Sequence, residues 1–402
     1  MDNVNKIQFK EIPLKIYDPR WGSKLSNTII ELEKLRVKKL GGPVPPYIFF
    51  QLKEIFHMLE SLGSARIEGN NTTLAGLVEK IIKDSSNKAK DEKMIEINNI
   101  EKAIKFIEEH VKKTTKINRP LILEIHKILV DGLTVPPKGE GSSYPGQLRP
   151  VNVSIKQSNH VPPQHIKVPE YFDALIKFIN KPLDIQYHLL AVAISHHRMA
   201  WVHPFDNGNG RLVRMFTYAI LIKQGFQVKS GRILNPTAIF CMDRDKYYDM
   251  LALADSGDSN KTLEWCLYVL EGLRLEIEKI DKLLDLKYMI NTILLPTLSY
   301  SLMEEHITKR EYDILSSLVK SKNMIIRSSD LKKMIAQESS KQESRSVQRS
   351  RIIKRLKNKN MLMPLKEKGR VYTIGFANNY LLKGIMHVLE KNSFIPASLN
   401  KK

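Results

Sequence analysis

The chain reads as mainly α: an all-helical core interrupted by one β-hairpin, followed by a small unit of three helices and a second hairpin. Three observations predict this. Apolar residues recur at helical spacing through most of the first 286 positions, as in Leu52, Ile55, Phe56, Leu59 and Leu62. One long stretch there, Gly132 to Pro169, is instead rich in Gly, Pro and Ser, and Arg149–Ile155 alternates as a strand does, so a hairpin is expected from about Gln147 to Val161. From Thr308 the pattern shortens to brief helical runs and two short strands around Lys366 to Gly369.

Taken in order, residues 1–115 form an N-terminal helical region, mixed up to about residue 45 and then strongly helical. Gly69 and the Asn-Asn-Thr-Thr after it end one helix and start the next, with Thr72 or Thr73 as N-cap. Glu68 stands at that helix end, where the macrodipole disfavours an anion unless a cation waits nearby. Residues 116–286 form the core, with helices over Leu121–Val130, Val168–Ile179, Leu183–Ala200 and Trp265–Leu286. Residues 287–306 read as a connector helix, 307–378 as the small unit and 379–402 as a tail.

Composition narrows the function classes. A chain of 402 residues with 42% hydrophobic content buries a sizeable core in two or more domains. No apolar run approaches the roughly 18 residues that span a bilayer, and the first residues lack a signal-peptide pattern, so a cytoplasmic protein without a membrane partner is expected. Cys241 and Cys266 lie in apolar helical patterns, which suits a reducing compartment. The formal charge of +21 invites a nucleic acid or acidic partner without deciding for one. Self-association is left open.

The core is organised around Ile194–Gln224, ISHHRMAWVHPFDNGNGRLVRMFTYAILIKQ. A buried helix breaks at Pro204, and a loop with Gly208 and Gly210 opens a second helix. Those glycines let the backbone approach a ligand, and the free N–H groups of the new helix make an anion site. Arg211 and Arg214, three apart, share a helix face and suit phosphate oxygens. His203 stands where an imidazole can take a proton from an attacking hydroxyl. His196 and His197 read as core packing, since no carboxylate or Cys stands at a zinc-helix spacing. No Walker loop is present, and the Gly pair lacks the third glycine of a dinucleotide fingerprint.

The spacing His-Pro-Phe-x-x-Gly-Asn-Gly-Arg-x-x-Arg, His203 to Arg214, resembles the signature of the Fic family. The resemblance, which extends over roughly Phe50 to Leu286, implies transfer of AMP from ATP to a Ser, Thr or Tyr hydroxyl of a protein target, this chain included. It makes His203 the base and gives the phosphates to Asn207, Gly208, Asn209, Gly210, Arg211 and Arg214. Asn207 stands where the family has an acidic Mg²⁺ ligand, and an amide oxygen can also ligate a hard cation. Ser64-x-x-x-Glu68-Gly69 looks like the family's inhibitory motif, in which the glutamate meets the second arginine, here Arg214. Tyr247 and Tyr248 match the place of the nucleotide base, and the hairpin matches the flap that holds a target segment. Two other readings stay open: a nucleotide-sensing DNA-binding transcription regulator, and removal of AMP with Glu68 activating water.

The small unit resembles a winged helix-turn-helix. Thr308 caps its first helix, Ser328 or Ser329 its second, and Ser344 or Ser346 its third. From Lys341 to Arg370 there are 11 Lys or Arg against 2 Glu. Double-stranded DNA is the expected partner, with Arg345, Gln348, Arg349 and Arg351 or Lys354 at reading positions, although such units also bind proteins.

Overall fold

The computed structural model describes residues 9–38, 44–83, 91–155, 158–226, 233–330, 351–366 and 369–400. The chain divides into two units that interleave in sequence: Met1–Lys39, His57–Asn71 and Ala89–Glu278 form the first; Leu40–Phe56, Thr72–Lys88 and Lys279–Lys402 form the second. The mainly helical class holds in both.

In the first unit the expected helices are α4 (Glu92–His110), α5 (Arg119–Val130), α6 (Val168–Asn180), α7 (Ile185–Val202), α8 (Asn209–Lys223), α9 (Thr237–Met242), α10 (Arg244–Ala254) and α11 (Ser259–Leu283), with the end of α2 (Pro46–Ile67). Asp91 and Asn118 cap α4 and α5 by accepting from the backbone of Lys93 and Leu121. α7 and α8 are buried along nearly their whole length, as their apolar sequences require, and they pack on each other in the centre of the unit. Trp265 on α11 donates its indole N–H to the Ala193 carbonyl at 2.7 Å, which fixes α11 on α7 without leaving a buried donor unpaired. Cys241 and Cys266 are both buried. One helix was not foreseen: α1 (Lys24–Val37), capped by Ser23, buries Leu25, Ile29, Leu32 and Leu35 on one face.

The segment expected as a hairpin, about Gln147 to Val161, has no strand among its described residues. Arg149 replaces the ladder. Its backbone N–H donates to Pro204 O at 2.9 Å, and its guanidinium donates to His203 O and Val151 O, each at 2.8 Å, and to Pro163 O. The alternation that reads as a strand is a loop pinned through one buried arginine, so the described residues of this segment are irregular where a β-hairpin was expected.

The second unit contains the start of α2, α3 (Leu74–Lys83), α12 (Leu286–Tyr288), a π-helical turn Met289–Leu294, α13 (Leu295–Met303), α14 (Lys309–Lys320) and α15 (Leu381–Lys391); residues 351–358 are also helical. Three antiparallel strands, β1 (Ile326–Arg327), β2 (Leu362–Pro364) and β3 (Val371–Ile374), lie in the order β1-β3-β2. Thr308 caps α14 in a reciprocal box with Glu311, as expected. Glu311 is fully buried and accepts from Arg355 at 2.8 Å, which fixes the helix over 351–358 on α14. Gln51 at the start of α2 holds the end of β3, donating to Ile374 O at 3.0 Å and accepting from Phe376 N at 2.7 Å. On α3, Glu79 pairs with Lys383 of α15. Both Ser344 and Ser346 lie outside the described residues, as does most of the expected second helix. The tail stretch carries α15, whose apolar face is buried.

Candidate active site

The site sits where α7 ends and α8 begins. α7 stops because Pro204 follows, and His203 takes a left-handed backbone, φ 47° and ψ 61°. For a non-glycine residue this conformation costs on the order of 1 kcal/mol or more. Two bonds hold it: His203 N donates to Met199 O at 3.2 Å, and His203 O accepts from Arg149. The imidazole bonds to the Ala200 carbonyl, and burial, with the charges of Arg149 and His160 adding to it, lowers its pKa to about 4. The ring is therefore neutral near pH 7 and its second nitrogen is available to accept a proton.

The loop that follows is built by its own side chains. Asn209 reaches back to Phe205, accepting from its N–H at 3.0 Å and donating to its carbonyl at 2.8 Å. Asp206 accepts from the Ser143 N–H at 2.8 Å and from the Ser142 hydroxyl, tying residues 142–143 to the loop. Asn207 donates its amide to Gly141 O at 2.9 Å and faces a Glu140 carboxylate oxygen at 3.4 Å. Gly208 adopts φ 75°, a conformation that favours glycine, and no side chain caps the first turn of α8.

An anion already lies over that turn. A Cβ on Gly210 would stand 2.2 Å from Glu68 Oε1 and 3.0 Å from Oε2, so the carboxylate occupies the space that the missing side chain leaves. Oε1 accepts from Arg214 Nη2 at 2.7 Å, and Ser64 accepts from the same guanidinium through its hydroxyl at 2.8 Å and its carbonyl at 2.9 Å. Burial alone would push the Glu68 carboxyl up; the charge and hydrogen bond of Arg214, helped by Arg211 and Arg244, outweigh it and hold the pKa below the ordinary value. Arg214 is fully buried, yet its Nη1 has no hydrogen-bond partner among the described residues.

The two arginines differ. Arg211 faces Glu96 at 3.3 Å and donates to Glu140 O at 2.6 Å, so protein acceptors already engage it. The two tyrosines differ as well. Tyr247 is 2% exposed and its hydroxyl lies 2.9 Å from His196 Nε2, among Phe240 and Trp265. Tyr248 is 40% exposed, with the Arg244 guanidinium 5.5 Å from its ring centre. His196 and His197 are core groups, bonded to Thr217 and Asp255.

The structure thus brings His203, Gly208, Gly210, Arg214, Ser64 and Glu68 together, puts Tyr248 on the open side and leaves Tyr247 inside. Sequence reading missed Arg149, Asp206 and Glu96. Asp206 sits at a variable position of the motif, and the other two act through partners far away in the chain.

Residues 116–221 match the Fic/DOC family model. A protein adenylyltransferase Fic of Nematostella vectensis is 28% identical over 203 residues, 48% of this chain and 42% of that protein. Its counterpart in Aedes aegypti is 30% identical over 210 residues, 51% of this chain and 38% of that protein. The chain therefore spans about two-fifths of the length of the curated relatives it matches. The crystal structure of a Fic family protein from Desulfovibrio desulfuricans G20 aligns with TM-score 0.50 at 18% identity, over 89% of this chain and 98% of that one, a likeness of fold. Among the described residues no helix is long and apolar enough to cross a membrane.

Proposed function

We propose that the chain transfers AMP from ATP to a Ser, Thr or Tyr hydroxyl of a protein target, itself included, and that Glu68 holds the site closed. The observation that carries the reading is the Glu68 carboxylate seated on Gly210 and Arg214. A site shaped for an anion, filled by the protein's own carboxylate, is the expected resting state of a phosphate site under control.

With Glu68 withdrawn, the N–H groups of Gly208, Asn209 and Gly210 face the phosphates, Arg214 takes the terminal one through the donors that Glu68 frees, and Arg211 adds charge from behind. Tyr248 offers the base a ring to stack on. His203 takes the proton of the target hydroxyl as its oxygen attacks the α-phosphorus; the bond to the β-phosphate oxygen breaks and pyrophosphate leaves. A base this weak contributes at most about 10²- to 10⁴-fold, so phosphate positioning supplies most of the acceleration.

Among the described residues no group of three or more His, Cys, Asp or Glu could hold a metal. Asn207, with its amide N–H already donating to Gly141, offers one carbonyl oxygen, which fits Mg²⁺ carried in by the triphosphate and its waters rather than a protein-built metal site. Bound there, the ion would neutralise phosphate charge.

Removal of AMP is less well supported, because a carboxylate paired with Arg214 is a poor base for water. The reading of the second unit as a DNA contact has one observation in favour: Arg351 and Lys354 are exposed while Arg355 and Lys359 turn to the buried Glu311. Arg345, Gln348 and Arg349 lie outside the described residues. Incubating the full chain with α-labelled ATP, Mg²⁺ and a cell lysate tests the main reading: label on protein supports it, and none even when Glu68 is replaced by Gly contradicts it.

A further inference from the structure

α5 supplies one residue to this loop that no motif picks out. His126 is fully buried and stacks on Phe205, ring centres 3.7 Å apart and planes 14° from parallel. Its Nε2 lies 3.0 Å from the Asn207 carbonyl oxygen, and its Nδ1 lies 3.0 Å from the Gly146 backbone nitrogen. A carbonyl only accepts and an amide N–H only donates, so the two partners fix one tautomer, with the proton on Nε2. The ring bridges the loop of the motif and the end of the 141–146 segment, the same pieces that Asp206 joins through Ser142 and Ser143.

The geometry points to His126 as a positioning residue of the phosphate site, which acts by holding the Asn207–Gly208 peptide plane. A trans peptide is planar, with its carbonyl and its N–H pointing in opposite directions. Anchoring the Asn207 oxygen therefore aims the Gly208 N–H, the first donor of the anion site. The position is tight: a Cβ on Gly208 would stand 3.5 Å from His126 Nε2 and 3.0 Å from Val130. His126 does not touch the nucleotide in this account, which rests on the phosphate reading above only for its consequence.

Two near-isosteric substitutions separate the bonds. His126→Gln keeps a donor for the Asn207 carbonyl and loses the Gly146 bond; His126→Asn keeps an acceptor for Gly146 and loses the Asn207 bond. In the full chain carrying Glu68→Gly, amide hydrogen exchange of residues 205–211 is measured without nucleotide, and ATP affinity is measured by titration. The Asn variant should exchange about tenfold faster or more in that loop, while the Gln variant stays near its parent. ATP affinity should follow the same order, with a loss of about tenfold for Asn. Equal exchange in both variants, whether fast or slow, overturns the proposal. The predicted exchange difference with no ATP bound by any variant, parent included, supports the positioning role and contradicts the nucleotide reading.

Discussion

Glu68 Oε1 lies 2.7 Å from Arg214 Nη2, and the same carboxylate closes over the Cα of Gly210. One side chain from the end of α2 thus engages the guanidinium and fills the space over the first turn of α8. The Glu68 side chain is 24% exposed whereas that of Arg214 is fully buried, so in the proposed reaction a phosphate arriving from solvent would compete for an arginine already in place.

His203→Ala should abolish AMP transfer and leave ATP binding intact, because Gly208, Gly210 and both arginines remain. In the proposed reaction the neutral imidazole is the working form, and its pKa is lowered to about 4, chiefly by burial. Activity should therefore stay level across neutral pH and fall as pH drops through about 4. Transfer by the Ala variant at a near-normal rate would remove His203 from the mechanism.

Asn207→Asp brings a second carboxylate beside Glu140, whose oxygen lies 3.4 Å from the Asn207 amide nitrogen. Without metal this should lower the melting temperature; with Mg²⁺ and ATP it should recover more than the unaltered chain gains. Identical metal-dependent shifts in the two proteins would show that position 207 does not meet the ion.

Glu60 is buried on α2 and accepts from Thr237 N at 3.0 Å. Burial is the largest influence on its carboxyl and raises its pKa to about 8 against the opposing Thr237 bonds and Arg214 charge. The folded pKa lies above the unfolded one, so the stability linked to this proton is complete below the unfolded value and is lost as pH rises through about 8. Glu60→Gln should gain in stability relative to the unaltered chain as pH rises from the ordinary carboxyl range to about 8, with the gap level above that and closing as pH falls. A gap independent of pH would contradict a protonated Glu60.

Arg351→Glu with Lys354→Glu should weaken binding of duplex DNA and flatten its dependence on salt, by about one unit of slope for each phosphate that is no longer neutralised. The full chain is the proper material, because residues 40–56 and 72–88 belong to the same unit as 279–402 and a C-terminal truncation would strip them of their partners. Unchanged affinity and slope would leave those residues as a solvated face.

Much of this was legible in the sequence, for local reasons. Helices such as α5 and α6 show their apolar stripe directly, and the motif announces its loop through Pro204, Gly208 and Gly210. What was hidden depends on distant partners. Arg149 sits in a stretch whose alternation imitates a strand, and only its bonds to His203, Val151 and Pro163 reveal a pinned loop. His126 looks like a lone histidine on an apolar helix until Asn207 and Gly146 appear on either side of it. Tyr247 and Tyr248 are adjacent in sequence, and the turn of α10 alone sends one inward and the other out.

The most direct test of control by Glu68 is AMP transfer from α-labelled ATP by four full-length proteins: the unaltered chain, Glu68→Gly, Arg214→Ala and the double variant. Glu68→Gly should raise the rate by about tenfold or more, since misplaced phosphates cost on the order of 10²-fold. The double variant should show no such rise, because Arg214 is the group that Glu68 releases to the phosphate. A Glu68→Gly protein that melts at lower temperature and transfers AMP no faster would contradict the account and leave Glu68 as a helix-end carboxylate paired with a buried arginine.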